Sequence, residues 1–178
     1  MKKILVIVAV LVVVTGATLF AQMDNDKSKR PSPPATAQCK FSDGKSLTID
    51  YSSPRAKGRK IFGGLVPYGK VWRTGANEST TFVTTADLSI GGTTIPAGSY
   101  TLFTLPGEKT WKMIINKQTG QWGTDYDGKQ DFARVDMSSS ALPSAVENFT
   151  ISFHEMGKGC HIYLDWEKTR AVVEISEK

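Results

Sequence analysis

The chain has 178 residues, a formal charge of +5, 40% hydrophobic and 22% charged side chains, 16 Gly and 8 Pro. That length accommodates one ordinary domain with a buried core and leaves little for a second, while the Gly and Pro content points to many turns rather than long helices. With Lys2 and Lys3 contributing to so modest a positive balance, the charge excludes the strongly basic surface of a typical nucleic-acid-binding protein.

Lys2 and Lys3 precede a continuous apolar run from Ile4 to Val14 and a polar, small-residue stretch from Thr15 to Ala21. This is the layout of a secretory signal cleaved near Ala21, with a mature protein in the periplasm or outside the cell and no stable membrane insertion after cleavage. The alternative is an uncleaved N-terminal anchor, for which the apolar run falls short of the roughly 20 residues that span a bilayer. Gln22 to Ala37, polar and punctuated by Pro31, Pro33 and Pro34, reads as a disordered spacer. Residues 38–178 then form a single β-rich domain.

The domain opens with a hairpin signal, Cys39 to Ser42 and Lys45 to Tyr51 about the turn pair Asp43-Gly44. Period-two alternation marks further strands at Thr80 to Thr85, Asp87 to Ile90, Thr93 to Ile95, Ser99 to Leu105, Thr110 to Asn116 and Ala145 to His154. Cys160 to Trp166 and Arg170 to Ile175 are expected to close the domain as a hairpin. The fold class is all-β, a sandwich or partly open barrel of about eight or nine short antiparallel strands with one long irregular crossover.

Cys39 alternates with Phe41, and Cys160 shares a face with Ile162, Leu164 and Trp166, so both thiols face the core. An even count in an oxidising compartment favours a Cys39–Cys160 disulfide over two buried free thiols.

From Ser53 to Glu78 the alternation stops, yet Ile61, Phe62, Leu65, Val66, Val71 and Trp72 demand burial, so the segment is an ordered crossover rather than a disordered loop. Six basic residues, Arg55, Lys57, Arg59, Lys60, Lys70 and Arg73, accompany one acid, Glu78, with Phe62, Tyr68 and Trp72 interleaved. Arginines that fork an anion, an amide that bonds hydroxyls and an aromatic ring that stacks on a sugar are the components of a site for a polar or anionic small molecule or glycan. The candidate ligand-binding residues are Arg55, Lys57, Arg59, Tyr68, Trp72, Arg73, Asn77, Glu78 and, downstream, Trp122. In the structural alternative Trp72 plugs the end of the sandwich and Arg73 pairs with Glu78.

Lys57-Gly58-Arg59, Ile61-Phe62-Gly63, Leu65-Val66-Pro67-Tyr68-Gly69 and Val71-Trp72-Arg73-Thr74-Gly75-Ala76-Asn77-Glu78, followed by Ile95-Pro96-Ala97-Gly98, Tyr100-Thr101-Leu102-Phe103 and Trp122-Gly123, closely resemble the signature of the bacterial exported family catalogued as domain of unknown function 2911. The resemblance implies an exported β-rich domain and carries over no catalytic residue. Two other classes of function stand beside ligand binding. One is a hydrolase using Glu78 with Asp125 or Asp127, since glycoside hydrolysis needs two carboxyls across a cleft; the other is a cell-envelope protein interaction module. His154 and His161, with Glu155, match no zinc spacing, and the sequence assigns no cofactor, metal ligand or protein partner.

Overall fold

The computed structural model describes residues 26–178; the expected signal and its cleavage point at Ala21 lie outside the described residues. Nine strands follow in chain order: β1 Pro34–Lys40, β2 Ser46–Ser52, β3 Thr80–Thr84, β4 Leu88–Ile90, β5 Thr93–Ile95, β6 Gly98–Leu105, β7 Thr110–Asn116, β8 Asp131–Met156 and β9 Gly159–Glu177. They form one antiparallel sheet in the order β1-β2-β3-β6-β7-β8-β9-β4-β5, with free edges at β1 and β5. The all-β expectation holds, as an open sandwich rather than a closed barrel.

Two very long strands make the sandwich. The β8/β9 register shifts between Ala141 and Val146 and again between Val146 and Thr150, and such irregularities bend a strand and increase its twist. The distal halves of β8 and β9 thereby swing over β1 and β2, where the Tyr51 hydroxyl accepts from the Ile151 amide at 3.0 Å and a Cys39–Cys160 disulfide ties β1 to β9 across 121 residues of chain. On the chain-entropy account a loop of that length stabilises the fold by up to about 4–5 kcal/mol. Between the two layers the alternation dictated by the sequence is buried as expected: Leu47, Ile49 and Tyr51 of β2, Phe149 and Ile151 of β8, and Ile162, Leu164 and Trp166 of β9 all enter one core.

Three boundaries differ from the sequence reading. The spacer was expected to run to Ala37, but β1 starts at Pro34, pairing Pro34 with Ser52, and buries Ala37 beside Cys39. A proline is tolerated there because it opens an edge strand, where a missing N–H is least costly. The segments Cys160 to Trp166 and Arg170 to Ile175 are two halves of one strand, joined through Glu167 in a left-handed conformation at φ 52°, so the closing hairpin is β8/β9, which turns at Gly157 with φ 59°. Finally, β8 begins at Asp131, and Ala133, Val135 and Met137 alternate inward from the exposed Arg134 and Asp136. Among the described residues no helix is long and apolar enough to cross a membrane.

Candidate functional site

The crossover between β2 and β3 caps the open end of the sandwich. It leaves β2 by pairing with the irregular stretch of β8: the Phe149 amide donates to the Pro54 carbonyl, and the Ala56 amide to the Glu147 carbonyl, each at 2.8 Å. A turn at Lys57-Gly58, both with positive φ (49° and 68°), reverses the chain, and a second turn closes with the Val66 amide on the Ile61 carbonyl at 2.9 Å. Trp72 then pairs with Thr104 of β6 through reciprocal amide–carbonyl bonds of 2.7 and 2.9 Å.

These turns deliver Ile61, Phe62, Val66 and Trp72 into the core as a plug. Phe62 meets Trp111 edge-on, with centroids 4.6 Å apart. Trp72, only 9% exposed, stacks on Trp166 at 5.7 Å and 18° and meets Phe149 edge-on at 4.9 Å. Beyond Arg73 the backbone is constrained: Thr74, a β-branched residue, sits at φ 54° and Asn77 at φ 58°. For a β-branched residue this region is unusual and costs about 1–3 kcal/mol. Thr74 is held there by its hydroxyl on the Trp72 carbonyl and Thr104 Oγ1 and by Thr80 Oγ1 donating to its carbonyl. Gly75 completes the turn so tightly that a Cβ would lie 2.9 Å from the Ser52 carbonyl oxygen.

On the plug lies a cleft of about 320 Å³. Pro54, Val66, Pro67, Trp72 and Trp166 give it an apolar side, and Arg59, Lys70 and Arg73 give it three cations, with no carboxylate in its lining. The Arg59 guanidinium is anchored by its own turn, Nε donating to the Ala56 carbonyl at 2.9 Å and Nη2 to the Arg55 carbonyl at 2.6 Å, which leaves Nη1 without a partner among the described residues. The Arg73 stem packs on Gly123, where a Cβ would fall 2.5 Å from Arg73 Cδ, and its Nε is buried with no hydrogen-bond partner. Neither Arg73 nor Lys70 has an ion-pair partner among the described residues. Such a cluster of uncompensated cations beside an apolar wall can hold an organic anion.

Of the residues singled out from sequence, the fold brings Arg59, Trp72 and Arg73 to this cleft and spreads the others. Arg55 Nη1 donates to Asn148 Oδ1 at 2.8 Å, and the Lys57 main chain donates to Glu147 Oε1 at 2.9 Å. Tyr68 packs on Gly63 and borders a different cavity beside Gly107, Glu108 and Trp111. Trp122 is half exposed and bridges to the Glu78 main chain. Asn77 Nδ2 donates to the Ser32 carbonyl at 3.1 Å.

The Arg73–Glu78 pair of the structural alternative does not form. Glu78 is taken instead by Arg30, whose Nη1 donates to Oε1 at 2.9 Å and to Oε2 at 3.0 Å, and by Lys27 Nζ at 3.1 Å. The Arg30 hydrogen bonds, aided by Lys27, pull the Glu78 carboxyl down to about 2. Arg30 and Lys27 belong to the stretch read as a spacer, which is why the partner was not anticipated. Neither Asp125 nor Asp127 borders the cavity that Glu78 lines; Asp127 caps the turn at Gly128–Gln130 by accepting from the Lys129 amide at 2.9 Å. His154 and His161 face each other directly in the β8/β9 register, and among the described residues no group of three or more His, Cys, Asp or Glu is placed to hold a metal. Sequence reasoning missed Lys70 as a cleft residue, counting it only in the basic tally, and missed Pro54 and Trp166; Trp166 carries no local signal, since the bend of β9 brings it there.

A family model described as protein of unknown function (DUF2911) matches residues 32–175, and the chain belongs to that family. No curated protein and no solved structure matches the chain. Nine of the residues lining the cleft, from Arg59 through Leu65, Val66 and Pro67 to Val71, Trp72, Arg73, Gly75 and Ala76, fall within the motifs that carry the resemblance.

Proposed function

We propose that this DUF2911 domain is an exported, non-catalytic binding domain whose cleft at Arg59, Lys70 and Arg73 takes a small organic anion such as an acidic glycan unit. Export rests on the charged, apolar and small-residue succession of Met1 to Ala21. The single observation that carries the binding reading is Arg73. A buried donor left unsatisfied is unfavourable by roughly 1–3 kcal/mol, and here it belongs to a guanidinium in a cleft that already holds two other unneutralised cations. A ligand oxyanion accepting from the Arg73 Nη groups, which make no hydrogen bond among the described residues, would neutralise the local charge. The apolar side, formed by Pro54, Val66, Pro67 and Trp72, gives the non-ionic part of the ligand a surface to cover.

Thermal shift tests this reading. Galacturonate or another acidic sugar is expected to raise the melting temperature of the purified protein while neutral galactose does not, a ligand at about 100 times its dissociation constant adding about 2.7 kcal/mol of stability. Arg73→Met should remain folded and lose the shift. Equal shifts with acidic and neutral sugars, or a shift that persists in Arg73→Met, would remove the cleft from consideration.

A further inference from the structure

Anions differ in charge and in the number of oxygens they present, and so in how fully each would match the cleft. Its lining carries three cations and no carboxylate. The donors available are Arg59 Nη1, which its anchoring bonds leave free, the Lys70 ammonium, and the Arg73 Nη groups, which make no hydrogen bond among the described residues. A carboxylate brings one charge and two oxygens to this set. A phosphate monoester brings three terminal oxygens and, above its second ionisation near pH 6, about two charges. Arginine forks match phosphate geometry, and lysine binds phosphate as a point charge. The volume of about 320 Å³ lies at the small end of ligand cavities, enough for one ring next to the charged group and against the Val66, Pro67 and Trp72 wall.

Resting on the binding reading above, we propose that the ligand is a phosphate monoester borne on a single ring, with the dianionic phosphate held by Arg59, Lys70 and Arg73 and the ring laid on the apolar wall. A phosphorylated sugar and a phosphorylated aromatic ring share this chemistry.

Calorimetric titration of the purified protein with phenyl phosphate, phenyl sulfate, benzoate and inorganic phosphate separates the possibilities. At about pH 7.5 phenyl phosphate should bind about tenfold or more tighter than phenyl sulfate, and the advantage should vanish near about pH 5, where the phosphate carries a single charge. Phenyl sulfate keeps one charge throughout and so corrects for any titration of the protein. Inorganic phosphate should bind more weakly than phenyl phosphate by a similar factor if the wall holds a ring. Arg73→Met should lose at least about tenfold in phenyl phosphate affinity, and Glu78→Gln should keep it. Glucose 6-phosphate in place of phenyl phosphate tells a sugar ring from an aromatic one. Phenyl phosphate binding no tighter than the sulfate at the higher pH, with sulfate or benzoate still bound, overturns the choice of phosphate alone. Absence of binding by every anion overturns the binding reading with it.

Discussion

Positive charge gathers at two places on the crossover segment, and the two are treated in opposite ways. At one, Arg30 and Lys27 close on Glu78, and Asn77 donates to the Ser32 carbonyl; each of these charges has an opposite charge within hydrogen-bonding reach. At the other, Arg59, Lys70 and Arg73 share one cleft with no acid in its lining and one buried donor unsatisfied. The first arrangement is complete without any further molecule and fastens the N-terminal segment to the domain. The second leaves three cations with no acid in the lining. What separates the two is therefore the state of satisfaction of the groups rather than their identity, because arginine and lysine occur in both.

The largest expected effect comes from removing the floor on which the cleft stands. Trp72 stacks on Trp166, meets Phe62 and Phe149 edge-on and pairs its backbone with Thr104; truncating a buried aromatic of this kind destabilises by about 3–5 kcal/mol. Trp72→Ala should therefore show a large fall in the urea midpoint, and a change under about 1 kcal/mol would mean that the indole belongs to the ligand rather than to the core.

Glu78→Gln comes next and tests the fastening. Its carboxyl, held near 2 in the folded protein against an ordinary value of 4.5, prefers the ionised form when folded. Its contribution is therefore fully present above about pH 4.5 and is lost as pH falls toward about 2. The side chain is 38% exposed, so solvent screening reduces the contribution to about 1 kcal/mol or less at neutral pH. The wild type should exceed Glu78→Gln in stability by that amount at neutral pH, and the two urea midpoints should draw together below about pH 4.5 and converge as pH falls through about 2. A gap that widens on acidification would contradict the assignment of Glu78 as a structural anion.

Much of the sandwich was legible because period-two alternation survives wherever one face of a strand is buried. Leu47, Ile49 and Tyr51, and Phe149 and Ile151, announced their strands, and the two inward-facing cysteines announced the Cys39–Cys160 bridge. The spacer boundary was not legible because β1 is an edge strand opened by Pro34 and filled with Ala, Thr and Gln, residues that bury little area of their own. The site was half legible. Composition alone marked the segment from Arg55 to Glu78, but which of its cations stand together depends on turns at Lys57-Gly58 and Thr74 that bring residues far apart in the segment to one wall. Trp166 joins them only through the bend of β9, a property of strand pairing and not of any local motif. The partner of Glu78 was hidden for the same reason: Arg30, 48 residues earlier in the chain, takes it instead of the near neighbour Arg73 that the structural alternative offered.

The smallest expected change in stability is the one that most sharply separates the two regions, because its sign is opposite to the others. In the ligand-free protein Arg73 contributes a buried donor without a partner and a charge with no counter-ion, both unfavourable, while its methylene stem packs on Gly123. Methionine keeps an unbranched apolar stem and removes the charge and the donor. Arg73→Met should therefore leave the urea midpoint unchanged or raise it by up to about 1 kcal/mol while ligand binding is lost, whereas Glu78→Gln should lower stability and leave binding intact. A residue that makes the protein less stable and the ligand better bound is held for the ligand, and a double dissociation between these two substitutions would place the boundary between fastening and site between Arg73 and Glu78. If Arg73→Met instead lowers stability as much as Glu78→Gln does, Arg73 has a structural partner in solution and the cleft loses its central cation.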